Sequence, residues 1–138
     1  MNDTLLNKKV SIERCIQQIH AYYALDTALP FAEDYLKQDA IAMNLQRACE
    51  LTIDIANYLV RRKRLGLPQT SRESFVLLQQ AGVISVEQLK GLQAMVGFRN
   101  TLVHQYQALS LDVMVDVIEH HLSDLLDFAN VALDVADE

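Results

Sequence analysis

Proline and glycine are scarce in this chain, with 2 and 4 of 138 residues. That shortage excludes collagen-like, linker-rich and low-complexity architectures. Cysteine is as rare as proline: Cys15 and Cys49 lie inside apolar helical patterns, with no CxxC spacing and no histidine at ligand distance in sequence. Both are expected to be buried thiols of a reduced intracellular protein rather than a disulfide framework or a zinc site. No apolar run approaches the ~20 residues of a membrane span, and Met1 to Lys9 has no signal-peptide core. The expectation is a cytoplasmic protein with no membrane association. No strand pattern or repeat is present. No cluster of Asp, Glu and His resembles a two-metal site, so no metal and no cofactor are expected.

Positive charge is absent from the whole C-terminal end. Residues 1–69 carry nine Lys or Arg against eight acids, whereas residues 70–138 carry three against ten. Eight of those ten acids follow residue 110, where no Lys or Arg occurs. The net charge of −6 therefore hides an asymmetry. The last segment suits contact with a basic partner, while a local basic surface remains at Arg61-Arg62-Lys63-Arg64.

What the chain has in abundance is apolar helical periodicity, 51% of residues being hydrophobic. Leu5, Leu6, Ile12, Cys15, Ile16, Ile19, Tyr22 and Tyr23, at spacings of three and four, form one stripe and predict a helix from about Asp3 to Leu25. After Leu29-Pro30 a longer pattern runs from Tyr35 to Val60 and stops at the basic cluster, before Gly66 and Pro68. Thr70 and Glu73 predict a capping box opening a short helix that ends near Gly82. Ser85 with Gln88 repeats the device for the next helix. A final amphipathic helix is predicted from about Leu111 to Val135, capped by Ser110 or Asp112. Four main helices and a short one, within one 1–138 domain, predict an all-α up-and-down bundle.

One segment stands apart from this apolar background: Arg99-Asn100-Thr101-Leu102-Val103-His104-Gln105-Tyr106. A permanent cation beside an imidazole that exchanges its proton near neutrality is a minimal kit for phosphodiester cleavage. A straight helix opposes the pairing, because residues five apart differ by about 140° and about 7.5 Å of rise. Two arrangements restore it. Either the helix ends near His104, or a second copy completes the site across a two-fold axis. His104 would then take the proton of a ribose 2′-hydroxyl attacking the adjacent phosphorus, a protonated histidine would supply the leaving 5′-oxygen, and Arg99 would hold the phosphate.

The stretch from Met95 to Tyr106 resembles the R-x4-H-x-Y signature of the HepT-like toxins of the HEPN superfamily. Asn44 to Leu59 is similar to the long second helix of that family, and Ser71 to Phe75 to the start of its short helix, so the resemblance spans nearly the whole chain. It implies a HEPN-type bundle acting as a metal-independent endoribonuclease toxin whose motifs meet in a homodimer cleft. It implies Arg99 and His104 as catalytic, Asn100 as supporting, and RNA, either transfer or messenger RNA, as substrate. It also implies a minimal nucleotidyltransferase (MNT) antitoxin that silences the toxin by attaching AMP to Tyr106, within a higher hetero-oligomer. The adenylyl group would place negative charge and bulk where substrate phosphate must sit.

Other residues offer further candidates. Arg61, Arg62, Lys63 and Arg64 could contact RNA backbone, or simply complement the dipole of the helix end. His120-His121 near Asp116, Glu119 and Asp124 invites a metal reading. Adjacent helical side chains diverge by about 100°, so one histidine is expected packed and the other solvated. Tyr22, Tyr23 and Tyr58 could stack bases but sit in apolar stripes and are read as core. The rival function is a non-catalytic HEPN module that binds a nucleotidyltransferase or a nucleotide. A third reading is an unrelated helical interaction module.

Overall fold

The computed structural model describes residues 2–137, and among them the regular structure is helical throughout, with no strand. In chain order the helices are α1 (Asp3–Ala24), α2 (Tyr35–Arg62), α3 (Ser71–Gln80), α4 (Val86–His104), α5 (Leu111–His120) and α6 (Leu122–Val135). Short 3-10 turns at Phe31–Glu33 and Tyr106–Ala108 precede α2 and α5.

Local chemistry sets most of the boundaries. The Asn2 side chain accepts from the Leu5 amide to open α1, and Asp34 accepts from Lys37 to open α2. Thr70 caps α3 through the Glu73 amide, but the Glu73 carboxylate reaches back to the amide of Gln69 rather than of Thr70. Ser85 and Gln88 form the full reciprocal box at the start of α4. Each such cap is worth about 1 kcal/mol. Ser110 precedes α5 without a side-chain cap bond, so the predicted Ser110 or Asp112 cap is absent there.

The helix predicted over 111–135 is broken. His121, at φ −124° and ψ −3°, separates α5 from α6. The apolar stripe stays in phase across the break, with Met114, Ile118, Leu122 and Leu125 all buried, so periodicity could not reveal it. Both His120 and His121 are exposed, contrary to the expectation that one would pack, because the junction lies at the surface.

α2 is the central element, packing against α1, α3, α4 and α6. Asn2 at the head of α1 bonds the Tyr58 hydroxyl near the tail of α2, which makes the first pair antiparallel. Twelve α2 residues are buried, including Ile41, Leu45, Ala48, Ile55, Ala56 and Leu59. Phe75 of α3 meets Phe128 of α6 edge-to-face at 5.4 Å between ring centroids, both fully buried. Tyr22, Tyr23 and Tyr58 pack against this core, as their spacing predicts. Both cysteines are free and buried. No described helix is long and apolar enough to cross a membrane.

Candidate active site at the end of helix α4

α4 ends at His104, and the Gln105 amide still reaches the Thr101 carbonyl while its backbone leaves the helical region at φ −143° and ψ 42°. The helix end near His104 that the sequence allowed is present, but it does not by itself bring Arg99 and His104 together. His104 is exposed on the last helical residue, and Tyr106 begins the following 3-10 turn. Arg99 and Tyr106 do not align along a continuing helix, because the helix stops between them.

Arg99 turns toward α2. Its Nη2 lies 3.9 Å from Glu50 Oε1, and its Nη1 donates to Asn100 Oδ1 at 3.3 Å. Glu50 is itself held by Gln46, whose amide donates to Oε1 at 2.8 Å. The Arg99 Nε is buried and finds no acceptor among the described residues. A buried donor left unmade costs about 1–3 kcal/mol, so this guanidinium is held with hydrogen-bonding capacity unspent. No hydrogen bond joins Arg99 to His104, and the arginine does not curl round the helix end toward the imidazole.

Tyr106 is fixed by a residue that the sequence reading missed. Its hydroxyl donates to Asp39 Oδ1 at 2.7 Å, from the turn after α4 to the second turn of α2. Burial first, and then the bond to Asp39 and its charge, push the phenol pKa up to about 12. Asp39, Gln46 and Glu50 lie at positions i, i+7 and i+11 of α2, which place them within about 40° of one another on the helix. That polar stripe, recurring at helical spacing on α2, is the one signal in the sequence that could have found them. A shallow groove follows the stripe, lined by Asp39, Met43, Gln46 and Tyr106 and continuing to Glu50. Beneath it the buried Cys49 thiol is pushed up to about 12 by desolvation.

The remaining candidates lie elsewhere. Arg61 to Arg64 sit at the far end of α2, 22 residues from Asp39 and so about 33 Å along the helix. Arg62 is engaged there: its Nε donates to the Ala136 carbonyl at 2.8 Å and its Nη2 lies 3.7 Å from Asp137. Arg64 closes α2 at a positive φ of 54°. His121 faces Asp116 at 3.0 Å through Nε2 and Asp124 at 3.6 Å through Nδ1, so its carboxylates flank the ring and do not converge with it on one point. Among the described residues no group of three or more His, Cys, Asp or Glu is placed to hold a metal ion. A mostly apolar cavity of about 210 Å³, lined by Leu45, Cys49, Met95 and Phe98 and reaching Asp116, His121 and Asp124, contains none of the motif residues.

A strand-free bundle with R-x4-H-x-Y running off the end of one helix defines a class, the HEPN-type proteins. Within it the chain belongs to the Ribonuclease HepT-like family, which it matches over residues 12–132. It is similar to the mRNA nuclease HepT of Shewanella oneidensis, at 46% identity over 131 residues, covering 95% of this chain and 97% of that protein. Among solved structures it resembles the tri-AMPylated Shewanella oneidensis HEPN toxin in complex with MNT antitoxin. That likeness has a TM-score of 0.89 and 45% identity, covering 97% of this chain and 99% of the other. A toxin–antitoxin structure with AMP-PNP is similar at a TM-score of 0.88 and 45% identity, over 96% of this chain and 99% of that one.

Proposed function

We propose that this chain is the toxin of a HEPN/MNT toxin–antitoxin pair, a metal-independent endoribonuclease silenced when its nucleotidyltransferase partner attaches AMP to Tyr106. The observation that carries the reading is Arg99, a guanidinium held by Glu50 and Asn100 with a buried Nε unspent, one and a half turns before a free histidine at a helix end. The names of the similar proteins, an mRNA nuclease and an AMPylated toxin bound to an MNT antitoxin, support it.

In this reading a scissile phosphate displaces Glu50 from Arg99 and takes paired N–H contacts from the guanidinium, with Asn100 keeping the fork oriented. His104 accepts the 2′-hydroxyl proton as that oxygen attacks phosphorus in line. The leaving 5′-oxygen needs a proton donor as well. A homodimer with two helix ends facing one cleft supplies it as the second His104. Arg61, Lys63 and Arg64 contact the RNA backbone away from the scissile bond, where charge without geometry suffices. AMP on Tyr106, two residues beyond His104, puts a phosphate anion into that cleft and excludes the substrate.

His104→Ala tests the mechanism. RNA cleavage by the purified unmodified dimer should fall by about 100-fold or more, with melting temperature and dimerisation unchanged and with wild-type cleavage insensitive to EDTA. Cleavage that survives the substitution, or that requires added metal, overturns it. A second reading, a non-catalytic module that presents Tyr106 to its partner, is favoured by the engagement of Arg99 with Glu50. It predicts partner binding without any cleavage by the wild type.

A further inference from the structure

We propose that Asp39 is the proton acceptor for nucleotidyl transfer onto Tyr106, so that this chain supplies part of the machinery of its own silencing. The proposal rests on Tyr106 being the AMP acceptor, as argued above.

Geometry comes first. The Tyr106 hydroxyl and Asp39 Oδ1 are 2.7 Å apart, within the reach required of a general base. Asp39 stands on a long, well-packed helix, so the carboxylate is held on a rigid element while Tyr106 lies on the turn after α4. Among the described residues Asp39 takes part in no salt bridge, and the phenol is its side-chain hydrogen-bond partner. The contact is thus not one half of a stabilising ion pair. Tyr106 is 37% exposed and the groove beside it is open, so an incoming phosphorus can approach the oxygen.

The chemistry requires such a group. With its pKa pushed up to about 12, the phenol offers almost no phenolate near neutrality, and its oxygen is a poor nucleophile while it keeps its proton. In the step proposed, the phenol oxygen attacks the α-phosphorus of a nucleoside triphosphate held by the partner. The new P–O bond forms, the bond from that phosphorus to the oxygen bridging to the β-phosphate breaks, and pyrophosphate leaves. The phenolic proton passes to Asp39 Oδ1 and from there to water. The same charge that disfavours free phenolate drives this concerted transfer, because the proton moves to a carboxylate already in contact.

The test follows AMP incorporation on the Tyr106 peptide by mass spectrometry, using the full-length chain, its MNT-type nucleotidyltransferase partner and ATP. Asp39→Asn keeps the shape and a hydrogen-bond acceptor but removes the base. It should lower kcat about 100-fold or more, with KM for the toxin within about twofold and the melting temperature unchanged. Asp39→Glu should recover at least about tenfold over the Asn variant. Asp39→Asn at the wild-type kcat overturns the proposal, as does a raised KM with kcat intact, which would make Asp39 a docking contact. A rate lost with no recovery by Glu likewise overturns it, in favour of a structural role. If the wild type takes no AMP at Tyr106 from an active partner, the silencing function itself fails. If the wild type is labelled and the Asn variant keeps pace, only the role of Asp39 fails.

Discussion

Arg62 ties the end of α2 to the end of α6: its Nε donates to the Ala136 carbonyl 2.8 Å away, joining the last turn of α2 to the residue that follows α6. The bond satisfies a carbonyl at a helix C-terminus that would otherwise face solvent, and Asp137 adds a longer ion pair at 3.7 Å. Arg62→Ala should cost about 1 kcal/mol in urea unfolding and raise amide exchange selectively at the end of α6. Unchanged protection over 130–137 would show that the tie is dispensable. If the 61–64 cluster contacts RNA as proposed, replacing this arginine, which is committed to the fold, should weaken RNA binding less than replacing Arg61.

Arg99→Lys keeps the charge and loses the planar fork. If the guanidinium grips phosphate by paired N–H contacts, cleavage should drop about 10- to 100-fold in kcat/KM, mostly in kcat, with the fold intact. Activity equal to wild type would reduce Arg99 to a point charge.

Arg64 occupies a left-handed position at φ 54°, closing α2 through the Leu65 amide to the Val60 carbonyl. α3 closes by the same pattern, Val83 to Leu78, but with Gly82 in the left-handed place. Arg64→Gly should therefore stabilise the protein by about 1 kcal/mol, read as a higher melting temperature. It should also flatten the salt dependence of RNA binding by about one phosphate contact if Arg64 touches backbone. Destabilisation would contradict the strain argument.

Asp34 caps α2, and its carboxyl is held below the ordinary range by the Thr27 hydroxyl first and the Lys37 amide second. A depressed folded-state pKa stabilises the fold fully above the unfolded value, about pH 4, and loses that contribution as pH falls through the folded value. The stability gap between wild type and Asp34→Asn should be constant from pH 7 to about pH 5 and should close on further acidification. A gap independent of pH down to 3 would remove the carboxylate from the account.

The helices were legible in the sequence wherever a boundary is written in adjacent residues. Ser85 with Gln88, Thr70, and the stop after Arg62 are caps and breaks of a few residues, and the end of α4 near His104 follows from the loss of apolar period over 105–110. Relationships closed by tertiary packing were not. Tyr106 and Asp39 are 67 positions apart, and no spacing rule connects them. The break at His121 was hidden for a different reason, since the buried stripe continues in phase on both sides. The direction of Arg99 was also invisible, because a long side chain chooses among neighbours that only the packed bundle provides, here Glu50 and Asn100.

The placement of Asp39 and Glu50 on one stripe of α2, eleven residues apart, has a consequence for how this chain can vary. Eleven residues bring the helix back to within about 20° of its starting phase and advance it about 16 Å, so α2 acts as a ruler against which both Tyr106 and Arg99 are set. Loss or gain of one residue between positions 39 and 50 would rotate one contact by about 100° relative to the other and uncouple the Asp39–Tyr106 contact from the Glu50–Arg99 contact. Length changes in the connections at 25–34, 63–70 and 81–85 lie outside that register and leave the spacing of both contacts along α2 unchanged.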